Sequence, residues 1–241
     1  MDSGRNLAEV GVSIMYAKGL KRIIDFCLSL LALLVLLPVL LVLTVVGAII
    51  MKGNPFFTQI RPGKDEKLFK LVKFRSMTCE TDSNGKLLPD EKRLTKYGRF
   101  LRESSLDELP ELWNILKGDM SIVGPRPQLV RDMVFMTPEQ RKRHSVRQGL
   151  TGLAQVNGRN NLSWEQKLAY DLVYIERITF LGDLKIILKT VQKVFVREGI
   201  TEEGNATAVD FGDYLRKSEM VTEEEYNAKQ QEARELLNLL N

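Results

Sequence analysis

The chain has 241 residues, 44% of them apolar, which is enough for one domain with additions at its ends. Its 35 Lys and Arg against 31 Asp and Glu leave a net charge of +4. That balance suits an anionic surface or substrate, but the chain lacks the basic, aromatic-interleaved stripe of a nucleic-acid binder. Two cysteines, Cys27 and Cys79, have neither zinc-ligand spacing nor the number for a disulfide framework, and they point to a reducing, cytosol-facing location.

In chain order, the first informative stretch is Phe26 to Met51, 26 residues without a charge. Its apolar core is longer than the ~7–15 residues of a signal peptide, and no small-residue cleavage site follows. It is long enough for a hydrocarbon core of ~30 Å. Pro38 sits in its middle, where it removes a helix hydrogen bond. Both flanks are basic: Lys18, Lys21 and Arg22 before, then Lys52, Arg61 and Lys64 after. The positive-inside rule therefore assigns both flanks to the cytosol. A helix broken at Pro38, entering and leaving by one face, satisfies both facts, with each arm of about 12 residues reaching ~18 Å. A kinked single span is the alternative, because proline is tolerated in membrane helices. Asp25 is expected to pair locally or to lie at the headgroup level.

Asn54 to Ile60 and Leu68 to Met77 read as a small hairpin across Arg61-Pro-Gly-Lys-Asp. Thr81 to Asp90 is a polar loop. Apolar spacing predicts helices over Glu91 to Arg102 and Leu109 to Leu116. Capping boxes at Thr137-Pro-Glu-Gln140 and Ser163-Trp-Glu-Gln166 open further helices. Leu172 to Ile175 and Leu184 to Val196 have helical spacing, and Thr222-Glu-Glu-Glu225 opens a last helix after the looser stretch Glu202 to Asp213. The lone histidine, His144, has no second His or nearby Cys and takes a structural or electrostatic role. The predicted fold class is mostly α with a small β-hairpin, without the alternating βα pattern, P-loop or GxGxxG of a nucleotide-binding sheet.

The chemistry concentrates at Ser104-Ser-Leu-Asp-Glu-Leu-Pro110. With Asp107 as N-cap, Pro110 falls at the third helical position, where its missing N–H costs nothing. With Ser105 as cap, Pro110 falls too deep. Asp107 is thus expected at a helix mouth, where the dipole favours phosphate. Read alone, acids there are a helix cap. Read functionally, one carboxylate is a nucleophile or metal ligand and the other its partner. Gly118 stops the helix, and Gly124-Pro-Arg-Pro127 fixes Arg126 between two prolines, where its planar fork suits an anion. Arg102, Lys73 and Arg75 add positive charge. Arg147-Gln-Gly-Leu-Thr-Gly152 and Asn157-Gly-Arg159 form a second glycine-rich loop carrying Arg147 and Arg159. Together these motifs describe an anionic-substrate pocket beside a membrane.

Six motifs, in this order, make the chain recognisable: Lys21-Arg22-Ile-Ile-Asp25, Gln59-Ile-Arg61-Pro-Gly63, Lys73-Phe-Arg-Ser-Met77, Leu106-Asp-Glu-Leu109, Gly118-Asp-Met-Ser-Ile-Val-Gly-Pro-Arg-Pro127 and Gly152-Leu-Ala-Gln-Val-Asn-Gly-Arg159. From about Lys18 to Thr207 the chain resembles the bacterial sugar transferase family, in particular small monotopic phosphoglycosyl transferases of the diacetylbacillosamine type. The resemblance implies an N-terminal re-entrant membrane helix, broken at Pro38 and packed on a cytosolic α/β domain. It implies a division into an N-terminal segment (1–17), a re-entrant hairpin (18–52), a catalytic domain (53–207) and a C-terminal extension (208–241). It implies transfer of a sugar-1-phosphate, from a UDP-sugar of N-acetylated type, to polyprenyl (undecaprenyl) phosphate, releasing UMP, at the cytoplasmic face of the bacterial inner membrane. Asp107 matches the nucleophile and Glu108 the second acid, the two also holding Mg²⁺. Arg126 and Arg102 would hold phosphates, and Lys73, Arg75, Arg147 and Arg159 are the further candidates for phosphate or nucleotide binding. A homodimer is compatible with this reading.

Three departures matter. Leu37 stands before the breaking proline where relatives have serine. Gln148 replaces a proline and is expected to loosen its loop. The tail beyond Met220 is expected to dock through Leu236, Leu237, Leu239 and Leu240 on its own domain. The rival reading is a membrane-anchored scaffold in which the acidic pair is only a cap.

Overall fold

The structure is a computed structural model and describes residues 13, 15–158, 161–196 and 209–239. A turn of π-helix, Tyr16–Leu20, runs into α1, Lys21–Ile50. α1 is long and apolar enough to cross a bilayer. One stripe of it is covered: Asp25, Ser29, Leu33, Leu36, Leu40, Leu43 and Gly47 recur at helical spacing and meet the rest of the protein. The remaining faces expose Leu31, Leu34, Val35, Val42, Val45 and Ile49.

α1 continues through Pro38 as a single helix. Two separate arms, as the sequence suggested, are therefore not seen in the secondary structure. Proline deletes one helix hydrogen bond, while Leu36 and Leu40 on either side of it pack into the core and hold the helix on course. Both ends of α1 are also tied down by polar contacts. Arg22 donates from Nη1 to the Ile115 carbonyl at 2.6 Å and from Nη2 to the Leu116 carbonyl at 2.8 Å. Asp25 lies 3.9 Å from Lys21, yet its closer partners are on a strand: Ser121 Oγ donates to it at 2.7 Å and the Ile122 N–H at 3.1 Å. At the other end the Tyr97 hydroxyl donates to the Leu43 carbonyl at 2.8 Å.

The hairpin is present as β1, Phe56–Pro62, and β2, Leu68–Phe74, antiparallel from Phe56↔Phe74 to Pro62↔Leu68. The helix expected over Glu91 to Arg102 is two: α2, Asp90–Arg93, and α3, Lys96–Glu103. Leu94 is extended because it bridges to Met77, and Thr95 restarts the helix by accepting from the Gly98 N–H. α4 covers Glu111–Lys117 and ends at Gly118, whose φ of 96° is left-handed.

A parallel pair that the sequence reading did not foresee follows: β3, Met120–Val123, against β4, Gln148–Thr151. Between them lie α5, Val130–Met133, and α6, Pro138–Arg141. Gln148 tightens this region instead of loosening it. It is fully buried, pairs with Met120 in the register and donates from Nε2 to the carbonyls of Arg143 and Val146. The chain closes with α7, Leu153–Asn157, α8, Trp164–Glu176, α9, Phe180–Val196, α10, Phe211–Lys217, and α11, Glu223–Asn238. Both expected capping boxes are formed, at Thr137 and Ser163, and a third opens α11 at Thr222. α11 docks on its own domain, with Ala233, Leu236 and Leu237 against Val130, Met133 and Val134. Leu239 is exposed, and Leu240 lies outside the described residues.

One glycine fixes how α3 meets the strand that carries the site. A Cβ on Gly98 would stand 1.8 Å from the Ser76 carbonyl oxygen. Alanine in a helix interior ordinarily stabilises by about 1 kcal/mol over glycine. Here the clash is with backbone, so Gly98→Ala is expected to destabilise by about 1–3 kcal/mol; thermal unfolding in detergent gives the sign, and a raised midpoint refutes this packing.

Candidate active site

The turn carrying the acids is not the expected helix mouth. Ser105 is left-handed (φ 56°), and Leu106–Glu108 form a 3₁₀ turn. Pro110 is the N-cap of α4 rather than its third residue. Without an N–H, Pro110 cannot bond the Leu106 carbonyl, and the Leu109 N–H takes that oxygen at 3.2 Å. Asp107 therefore stands a turn ahead of α4 and does not cap it.

Three elements converge on Glu108. Lys73 on β2 donates from Nζ to Glu108 Oε1 at 2.8 Å. Arg126, on the loop after β3, donates from Nη2 to the same oxygen at 2.7 Å. Lys73 also pairs with Glu111 Oε1 at 2.9 Å, close enough for an ion pair but off the hydrogen-bonding direction. Glu108 keeps 19% of its side chain exposed, so the junction lies open to a substrate.

The three acids respond differently to this shared environment. Burial alone would raise Glu108, but the Arg126 and Lys73 charges and hydrogen bonds outweigh it and hold the carboxyl well below its usual range. Burial pushes Asp107 up to about 6, and the adjacent Glu108 charge adds to that, against the pull of Lys73, Arg126 and Arg102. Burial raises Glu111 to about 7, with Lys73 opposing and Glu108 assisting. The three acids thus share the charges of two cations, Lys73 and Arg126.

Arg126 is aimed by its backbone. The Gly124 N–H donates to the Thr151 carbonyl and the Gly149 N–H to the Pro125 carbonyl. Arg143 Nη2 donates to the Arg126 carbonyl, and Arg61 Nη1 to the Pro127 carbonyl at 3.2 Å. The Leu129 N–H donates to Asp132. Arg143 is itself fully buried and paired with Asp171.

Of the expected ligands, Lys73 and Arg126 join the acids directly. Arg102 on α3 bonds Ser76 Oγ at 3.0 Å and acts on Asp107 through its charge. Arg75 instead donates to the Phe56 carbonyl and to Cys79 Sγ. Arg147 donates from Nε to the Gly118 carbonyl at 2.8 Å, closing the turn after α4. Residues 148–151 of its loop form strand β4. Arg159 lies outside the described residues. The sequence reading missed Glu111, Arg61 and Arg143. Glu111 had a signal, since it lies one helical turn beyond Asp107 and Glu108. Arg61 stood in the motif Gln59-Ile-Arg61-Pro-Gly63, but what it and Arg143 hold is backbone distant in sequence, which no local spacing shows.

Among the described residues no group of three or more His, Cys, Asp or Glu is spaced to cage a metal ion. Asp107 with Glu108, whose cations both bond Oε1 and so leave Oε2 to other partners, fits an Mg²⁺ that takes its other ligands from phosphate and water.

Comparison with known proteins identifies the family. The profile described as bacterial sugar transferase matches residues 16–197. The chain is 49% identical over 193 residues to the sugar transferase EpsL of Bacillus subtilis, covering 80% of this chain and 95% of EpsL. It is 41% identical over 189 residues to a UDP-glucose:undecaprenyl-phosphate glucose-1-phosphate transferase of Klebsiella pneumoniae, covering 74% of this chain but 40% of that protein. It is 36% identical over 192 residues to the exopolysaccharide production protein PSS of Rhizobium leguminosarum, covering 74% of this chain and 96% of the relative. With the profile spanning the α1 helix, the acids and the arginine loop alike, the chain belongs to the bacterial sugar transferase family.

Proposed function

We propose that this protein transfers a sugar-1-phosphate from a UDP-sugar to polyprenyl phosphate through a covalent aspartate intermediate, at the cytoplasmic face of a bacterial inner membrane. The observation that carries the reading is the split between two adjacent carboxylates. Glu108 is locked ionised between Lys73 and Arg126, while Asp107 is raised to about 6 and is not tied into their hydrogen bonds. Adjacent acids pushed apart in this way take different roles. Asp107 remains largely ionised at neutral pH, and its raised basicity makes it the better nucleophile.

In the first step an Asp107 carboxylate oxygen attacks the β-phosphorus of the UDP-sugar. The bond from that phosphorus to the bridging oxygen breaks, and UMP leaves with the electron pair. In the second step an oxygen of polyprenyl phosphate attacks the same phosphorus and Asp107 departs as carboxylate, leaving a polyprenyl diphosphate sugar. Arg126 and Lys73 offset the charge of the incoming diphosphate, and Arg102 adds a third cation near Asp107. Mg²⁺ supplies further neutralisation of the diphosphate when bound, with Asp107 and Glu108 as its protein ligands.

The membrane arrangement follows from α1. Its covered stripe meets the domain at Asp25 and again at Leu43 and Gly47, near both ends. A helix clasped by one body along its length, with its remaining faces apolar, fits burial into one leaflet from the cytoplasmic side better than a perpendicular span. Each large apolar side chain moved from water into lipid contributes roughly 1.5–3 kcal/mol.

UMP release tests the reaction, with UDP-N-acetylated sugars presented beside UDP-glucose and UDP-galactose, the sugars named in relatives from Klebsiella pneumoniae and Erwinia amylovora. Asp107→Asn is expected to lower UMP release roughly a thousand-fold or more; full turnover by this variant removes Asp107 as nucleophile. The first half-reaction, followed as a UMP burst without polyprenyl phosphate so that the acceptor does not titrate, is expected to lose rate on acidification as Asp107 is protonated. Asp107 is active as its anion; its raised pKa sets the limb at about 6 without metal, and bound Mg²⁺ moves it lower, so a burst rate with no acid limb at any pH the fold survives contradicts the assignment.

A further inference from the structure

The C-terminal extension is bolted to the helix that follows the Arg126 loop. One carboxylate serves both. Asp132 on α5 is 2% exposed. Its Oδ2 accepts the Leu129 N–H at 3.0 Å, the last anchor of the loop, and its Oδ1 accepts the Phe211 N–H at 2.9 Å, at the start of α10. Beside it Arg131 pairs with Asp210 at 2.8 Å. Phe211 is 3% exposed and packs on Trp164 with ring centroids 5.0 Å apart. Gly212 is pressed on Phe135, so that a Cβ there would stand 2.5 Å from the ring. α11 then covers Val130, Met133 and Val134.

A buried carboxylate is costly unless its bonds are made. Releasing α10 removes one of the two backbone donors from Asp132 and opens its surroundings to water, which weakens its hold on Leu129. The extension lies outside the family match, which ends at residue 197. We propose that residues 209–239 are a positioning element for Arg126, acting through Asp132 and Leu129 on the loop that aims this arginine at substrate phosphate. Asp132 is a positioning residue and touches no reacting atom. The inference rests on the phosphate-binding role proposed above for Arg126.

The test uses the full-length chain in detergent with Mg²⁺. Gly212→Val drives a side chain into Phe135 and releases α10, which limited proteolysis within 209–239 confirms. Asp132→Asn is a gentler second variant that keeps one acceptor oxygen, and it decides the matter if Gly212→Val does not fold. UDP affinity and the KM for UDP-sugar are measured in wild type and in an Arg126→Lys background. The expected result is a weakening of about ten-fold or more from Gly212→Val, within the range that small misplacements of a binding group produce, and less than two-fold once Arg126 is lysine. Equal losses in both backgrounds identify a general structural defect and overturn the proposal, as does unchanged affinity with the extension released. A wild type that binds UDP but releases no UMP sinks the transfer reaction, while the affinity series still decides the positioning role.

Discussion

The structure turns on a single carboxylate oxygen. Glu108 Oε1 receives both Lys73 and Arg126, and these three residues come from the hairpin, the 3₁₀ turn and the loop after β3. Removing one partner from such a junction leaves an uncompensated, largely buried charge, so the three elements must keep their mutual geometry. That requirement explains why so much hydrogen bonding is invested in the Arg126 loop, whose backbone is held by β4, Arg143, Arg61 and Asp132 in turn.

The same junction separates the acids. Two cations on Glu108 fix its charge, and that charge, added to burial, raises the neighbouring Asp107. A nucleophile that must approach a diphosphate gains from such an arrangement, because the cations balance the acids before the substrate adds its own charge. Glu111, sharing Lys73 from the first turn of α4, keeps the lysine between two carboxylates.

Site and apolar helix share a wall. Leu71 of β2 and Leu112 and Ile115 of α4 pack against Ala32, Leu33 and Leu36 of α1. Lys73 lies two residues beyond Leu71, and Glu111 precedes Leu112. Residues two apart in a strand share a face, so Lys73 stands beside Leu71 on the side of β2 that packs towards α1, which ties the charged junction to the apolar helix.

The hairpin, the capping boxes and the glycine stop at Gly118 were legible in the sequence, because each depends on neighbours within a few positions. The apolar length of α1 was equally plain. Pro38 left two readings open, and the helix continues without a break there. The capping argument that set Asp107 at a helix mouth does not hold, because Ser105 is left-handed and Pro110 is the N-cap of α4. Tertiary structure alone decided which cations reach the acids. Lys73 and Arg126 do, while Arg75 and Arg147, equally basic and equally near in their motifs, spend their donors on Cys79 and on backbone carbonyls. Sequence spacing sets which residues share a local turn; which charges meet across strands depends on register and on the loops between them, and only the folded chain fixes these.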